Sequence, residues 1–152
     1  MKKALLVSHS EQSAVSLAEL LRNEGYAKIS ASYTADSARK NVLDDEFDLI
    51  CINAPLPDEN GIKLSEEFAN STRSSVVIIV PQKNADDVND LLTKHGVLVI
   101  AKPINRHLFH HYLQFTDCFR MRMFRVAEEN ERLKHMVEDM KVINRAKLLL
   151  VT

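Results

Sequence analysis

A chain of 152 residues with 45% apolar and 27% charged side chains, and only 3 Gly and 4 Pro, has the size and composition of one helix-rich globular domain. That balance excludes a collagen-like, low-complexity or disordered chain. The formal charge of −1 conceals an asymmetry: residues 1–101 hold 10 Lys and Arg against 15 Asp and Glu, whereas residues 102–152 hold 10 against 6. A basic C-terminal part is either a solvated helix face or a surface for a polyanion.

The opening MKKALLVSHSEQ contains one apolar run, 4–7, too short for a signal-peptide core or a membrane span. Cys51 sits in an apolar run and Cys118 on a predicted helix, with no CxxC pair and no His at zinc-finger spacing. Buried, reduced cysteines, a cytoplasmic location, no metal site and no membrane partner are the expectation.

Short apolar runs at 4–7, 29–32, 49–52, 76–80 and 97–101 alternate with amphipathic stretches, the pattern of βα units building a parallel sheet. The last three runs are almost continuous in β-branched residues and Leu, as strands covered on both faces are. Ser10 caps a first helix with Ala14, Leu17 and Leu21 inward and Gly25 as its stop. Thr34 with Ser37 opens a second over 38–43, and Asn60 with Gly61 turns the chain into a third over 62–68. A fourth starts at Asn84 or Ala85, faces Val88, Leu91 and Leu92 inward, and ends at Gly96.

From Asn105 onward there is neither Gly nor Pro, so one helix of about 70 Å can run to the end. Leu108, Tyr112 and Phe115 are expected to pack on the sheet as a fifth helix. The remainder must find another partner. A 3-4 spacing marks a seam with Met123, Asn130 and Val137 at a positions and Phe119, Val126, Leu133 and Met140 at d. A lone Asn at a tolerates a parallel two-stranded pairing and disfavours other registers, and Glu129 and Lys134 occupy g and the following e, where opposite charges from two chains meet. The expectation is a homodimer through the C-terminal helix; the plainer reading packs the stripe on its own domain or on a further segment. After Met140 the apolar set moves to Ile143, Ala146 and Leu150.

The segment 48–61, DLICINAPLPDENG, resembles the third strand and following loop of two-component response-regulator receiver domains. Leu56, Pro57 and Gly61 match the loop, and Lys102-Pro103 matches the family's Lys-Pro pair; the similarity covers about residues 1–115. It implies a flavodoxin-like (βα)5 doubly wound parallel sheet, here followed by a long C-terminal coiled-coil helix. It also implies phosphotransfer: an Asp at the end of the third strand attacks a phosphoryl group, Mg²⁺ neutralises charge, and a Lys and a hydroxyl hold the oxygens.

Four of those five positions depart from the pattern. Asn53 stands at the nucleophile, Ser8 and His9 replace the acidic pair after the first strand, and Pro81 takes the Thr or Ser position after the fourth. Only Lys102 remains. A carboxamide is a very poor nucleophile and Mg²⁺ needs hard, usually anionic oxygens, so no acyl phosphate is expected. Lys102 then either hydrogen-bonds Asn53 or Ser8, or binds a ligand. Ser8, His9 and Glu11 do not form a hydrolase set, because adjacent strand residues point to opposite faces. A flavin site is disfavoured because SHSEQSA lacks the glycines of phosphate-cradling loops. A small ligand at the sheet's carboxyl edge stays open. No cofactor is expected, and the chain is read as a non-enzyme.

The stretch 141–150, KVINRAKLLL, resembles the opening of an ANTAR domain, the RNA-binding output of certain bacterial antiterminators. The resemblance implies binding of nascent RNA hairpins, with Arg145 and Lys147 at phosphate-facing positions. The sequence therefore divides into a receiver-like domain over 1–115, a coiled-coil helix over 116–140 and, over 141–152, the start of a truncated output domain not expected to bind RNA tightly. A protein partner or ligand that alters helix pairing is the expected regulator. A dimerisation adaptor without nucleic acid and the receiver of a DNA-binding response regulator remain alternatives.

Overall fold

The computed structural model describes residues 2–151, with side chains for 2–140. Along the chain run β1 (Lys2–Val7), α1 (Glu11–Asn23), β2 (Tyr26–Ser32), α2 (Ala35–Asp44), β3 (Leu49–Asn53), α3 (Ile62–Ser71), β4 (Ser75–Pro81), α4 (Gln82–Leu92), a short 3-10 turn (Thr93–His95), β5 (Leu98–Lys102) and α5 (Arg106–Val151). The strands pair in parallel in the order β2-β1-β3-β4-β5.

Right-handed crossovers explain the layering. The step from β1 to β2 runs one way along the sheet and puts α1 on one face; the later steps run the other way and put α2, α3 and α4 on the opposite face. Strand alternation then gives each face its own core. Ala4, Leu6, Cys51, Val77 and Ile79 meet α1 and the start of α5, through Leu17, Leu21, Phe109 and Leu113. Leu5, Val7, Ile50, Ile52, Ile78 and Val80 meet α2, α3 and α4, through Ala38, Leu64, Phe68, Val88 and Leu92. The order reverses between β1 and β3, and the carboxyl ends of those two strands are where open sheets of this kind form a ligand cleft.

The helix ends follow local chemistry. The Ser10 and Thr34 hydroxyls accept from the backbone N–H of Ser13 and Ser37, capping α1 and α2. Gly61 enters α3 at φ +92°, where an added Cβ would lie 3.2 Å from Cγ2 of Ile52, so both its backbone and its lack of a side chain are needed.

Three expectations shift. The fourth helix begins at Gln82, and Leu91 is 57% exposed while Val88 and Leu92 are buried, so the inward stripe is narrower than expected. Of Leu108, Tyr112 and Phe115 on α5, only Tyr112 packs against the core. Leu108 and Phe115 are 48% and 63% exposed, and Phe109 and Leu113 are buried, with Tyr112 partly covered. Asn105 fixes where the helix starts, since its side-chain oxygen accepts from the backbone N–H of His107 and its carbonyl from that of Phe109, and docking on the sheet selects the face. Finally, β2 starts at Tyr26, earlier than the apolar run, because an edge strand needs ladder hydrogen bonds more than two buried faces; Lys28 and Ser30 are exposed.

The chain divides into two compact units after Thr116. In the second, Phe119, Met123, Val126, Leu133, Val137 and Met140 are between 47% and 60% exposed. Asn130 lies among them and is exposed as well. Glu129 pairs with Arg132 at 2.6 Å and Lys134 approaches Glu131 at 3.7 Å. Arg145 and Lys147 lie outside the residues whose side chains are described.

Candidate functional site at the carboxyl edge of the sheet

β3 is buried along its whole length and delivers Asn53 to the carboxyl edge. The ladder continues one bond further, from the Ala54 N–H to the Ile79 carbonyl, which holds the chain down as it leaves the strand. On the neighbouring strand the Ser8 N–H bonds the Ser32 carbonyl, so Ser8 is still in register with the sheet and is fully buried. Parallel pairing thus brings two residues 45 positions apart side by side: Asn53 Nδ2 donates to Ser8 Oγ at 3.2 Å.

The chain of hydroxyls goes on. Ser8 Oγ lies 2.6 Å from Ser13 Oγ, and Ser13 Oγ lies 2.9 Å from the capping Ser10 Oγ and donates to the Ser10 carbonyl. One end of this network is open, because Asn53 Oδ1 is buried without a hydrogen-bond partner. An unsatisfied buried amide oxygen is costly.

Lys102 reaches the same region from the end of β5. Its ammonium group donates to the Ala54 carbonyl at 2.8 Å, and neither Asn53 nor Ser8 receives that bond. The reason is geometric: a four-carbon stem rising from the outer side of β4 meets the backbone beyond β3 first. Partial burial lowers the Lys102 pKa from its ordinary value. Pro81, paired with Lys102 at the end of β4, has no hydroxyl to offer. His9 is exposed in the loop after β1 and does not join the group. Asn53, Ser8 and Lys102 are therefore brought together, Pro81 flanks them, and His9 stands outside.

The donor set does not suit Mg²⁺. Its oxygens are a buried amide oxygen and a buried hydroxyl already bonded to Asn53 and Ser13, all neutral, beside an ammonium group, whereas that ion takes carboxylates and phosphates in octahedral array. The two carboxylates of the loop after β3 are turned elsewhere. Asp58 accepts from the Ala35 and Asp36 N–H groups at 2.9 and 3.2 Å, which holds its carboxyl below the usual range. Glu59 takes a two-pronged bond from Arg39, which also binds Glu67. Among the described residues no group of three or more His, Cys, Asp or Glu gathers as a metal site.

Sequence reasoning missed three of these contributors. Ser13 carries a signal in its spacing from the capping Ser10, whose hydroxyl it meets at 2.9 Å. Asp58 and Arg39 carry none, since their partners lie 20 or more residues away.

Known proteins share this fold. The response regulator receiver domain family matches residues 4–114. No curated protein matches the chain in sequence. Among solved structures, a two-component response regulator from Clostridium difficile is 20% identical, with a TM-score of 0.67 over 76% of this chain and 95% of its own. A CheY-like receiver domain protein from Methanospirillum hungatei JF-1 is 18% identical, with a TM-score of 0.71 over 81% and 98%. A CheY-like receiver domain from Methylobacillus flagellatus is 22% identical, with a TM-score of 0.67 over 76% and 98%. Identities this low speak for the fold alone.

Proposed function

Because this chain belongs to the response regulator receiver domain family, we propose that it is a signalling module whose site takes no phosphoryl group and whose output passes through pairing of α5 with a second copy. The observation that carries the first half is Asn53. Its amide stands at the carboxyl end of β3 and donates to Ser8, in a position where phosphotransfer needs an ionised carboxylate and a metal. An amide nitrogen has no lone pair free for in-line attack, and the cleft offers no anionic oxygen to recruit a cation. Such a module switches through contacts, by a protein partner or ligand that favours one pairing of the helix. It performs no catalysis.

The output half rests on the resemblance of 141–150 to the start of an ANTAR domain. On that reading the chain is the receiver part of a cytoplasmic transcription antiterminator, and RNA is the partner of a complete output domain. Among the described residues no helix is long and apolar enough to cross a membrane.

Acetyl phosphate or beryllofluoride with Mg²⁺ should leave both mass and oligomeric state unchanged. A stable adduct on this chain overturns the first half. For the second half, the reading frame past Thr152 should encode several tens of residues with helical periodicity, and the longer product should bind RNA hairpins with a strong salt dependence. Helix-turn-helix punctuation in that region would point to DNA instead, and a stop codon near Thr152 to a dimerisation adaptor.

A further inference from the structure

α5 opens with RHLFHHY. Helical spacing puts Phe109 and Leu113 on the core side and leaves His107 and His111, one turn apart, exposed to solvent. Asn105 fixes the first turn through its bonds to the backbone N–H groups of His107 and Leu108 at 2.9 and 3.2 Å. The two imidazoles converge. Their Nε2 atoms are 3.3 Å apart, with the rings at 87° and their centroids at 4.6 Å.

Two neutral rings can share one N–H···N bond at that separation. The same separation is also the edge of a metal-centred tetrahedron: two Zn–N bonds of about 2.0–2.1 Å meeting at the tetrahedral angle hold their nitrogens about 3.3–3.4 Å apart. His110 is tied through its Nδ1 to the carboxylate of Glu24, at 2.6 and 2.8 Å from the two oxygens, which holds its ring 5.7 Å from that of His111 and outside the converging pair. Among the described residues no third His, Cys, Asp or Glu completes a cluster, so water fills the remaining positions.

We propose that His107 and His111 form a bidentate imidazole site for a divalent transition-metal ion of the zinc class. Imidazole nitrogen suits Zn²⁺, Ni²⁺ and Cu²⁺, whereas Mg²⁺ and Ca²⁺ take oxygen. An ion held by residues four apart bridges successive turns and clamps the start of α5 in helical geometry. It therefore stabilises the folded chain by mass action. This site is independent of the cleft around Asn53.

Zinc chloride alone, titrated calorimetrically into the chelator-dialysed protein, should show a site that weakens about tenfold or more in His107→Gln and equally in His111→Gln. His110→Gln should bind as the parent does. All three side chains are on the surface of a capped helix, so circular dichroism should be unchanged. Amide resonances perturbed by Zn²⁺ should centre on 104–114, with no response to Mg²⁺. Failure of the parent to bind, full affinity in either His107→Gln or His111→Gln, or a perturbation centred on Cys118 or His135 would overturn the assignment.

Discussion

Lys102 donates to the carbonyl of Ala54 at 2.8 Å, one residue beyond the Asn53 amide that bonds Ser8. The cation and the amide thus each have a neutral partner and need no ion or phosphoryl group to hold them in place. Burial of the Lys102 ammonium group, which lowers its pKa, is tolerated because the carbonyl replaces lost water.

The Ser8 hydroxyl should prove structural. Ser8→Ala removes the acceptor for Asn53 Nδ2, which lies against a fully buried position, and leaves a buried donor unpaired. A loss of about 1–3 kcal/mol is expected in urea unfolding. An unchanged midpoint with an unchanged slope would mean that the amide is not held by this bond.

Arg39 ties α2 to the loop after β3 and to α3 through Glu59 and Glu67. Its hydrogen bond, ahead of its charge, lowers the Glu67 pKa from 4.5. A carboxylate whose folded pKa is depressed contributes stability above its unfolded value, and that contribution is lost as pH falls through the folded one. Arg39→Met should therefore cost about 0.5–1 kcal/mol at neutral pH, the small value reflecting an ion pair in which Arg39 is 34% and Glu67 40% exposed. It should also flatten the fall of stability below pH 4.5, the ordinary value for Glu67. Parallel acid profiles for the two proteins would refute the coupling.

Pairing through α5 can be read in light scattering. Leu133→Asp places a charge at a d position and should give monomers, whereas Asn130→Leu should tighten association and loosen its stoichiometry. Two variants with the mass of the parent would mean that the heptads were assigned to the wrong face.

The cysteines should differ sharply. Burial alone pushes the Cys51 thiol up to about 12, and Cys118 is exposed, so a disulfide reagent at neutral pH should titrate one thiol in the native chain and two in denaturant. Prompt reaction of both in the native protein would contradict the packing of β3 beneath α1.

Much of this architecture is local and so is legible in the residues themselves. Strand runs, the caps Ser10 and Thr34, the turn at Gly61, and the arrival of Asn53 at the end of β3 each depend on a few neighbouring positions, where periodicity and capping chemistry act directly. The replacement of a carboxylate by an amide at residue 53 is written there too.

Only the tertiary structure decided where long-range bonds land. Lys102 finds Ala54 across 48 positions, Asp58 caps α2 across 23, and Arg39 chooses Glu59 and Glu67 from many acidic residues. The phase of α5 belongs with these, since the apolar residues 108, 109, 112, 113 and 115 permit more than one inward face. Sheet order and helix docking select among such options, because a contact between distant residues is fixed by the path of the backbone and not by the spacing of either partner.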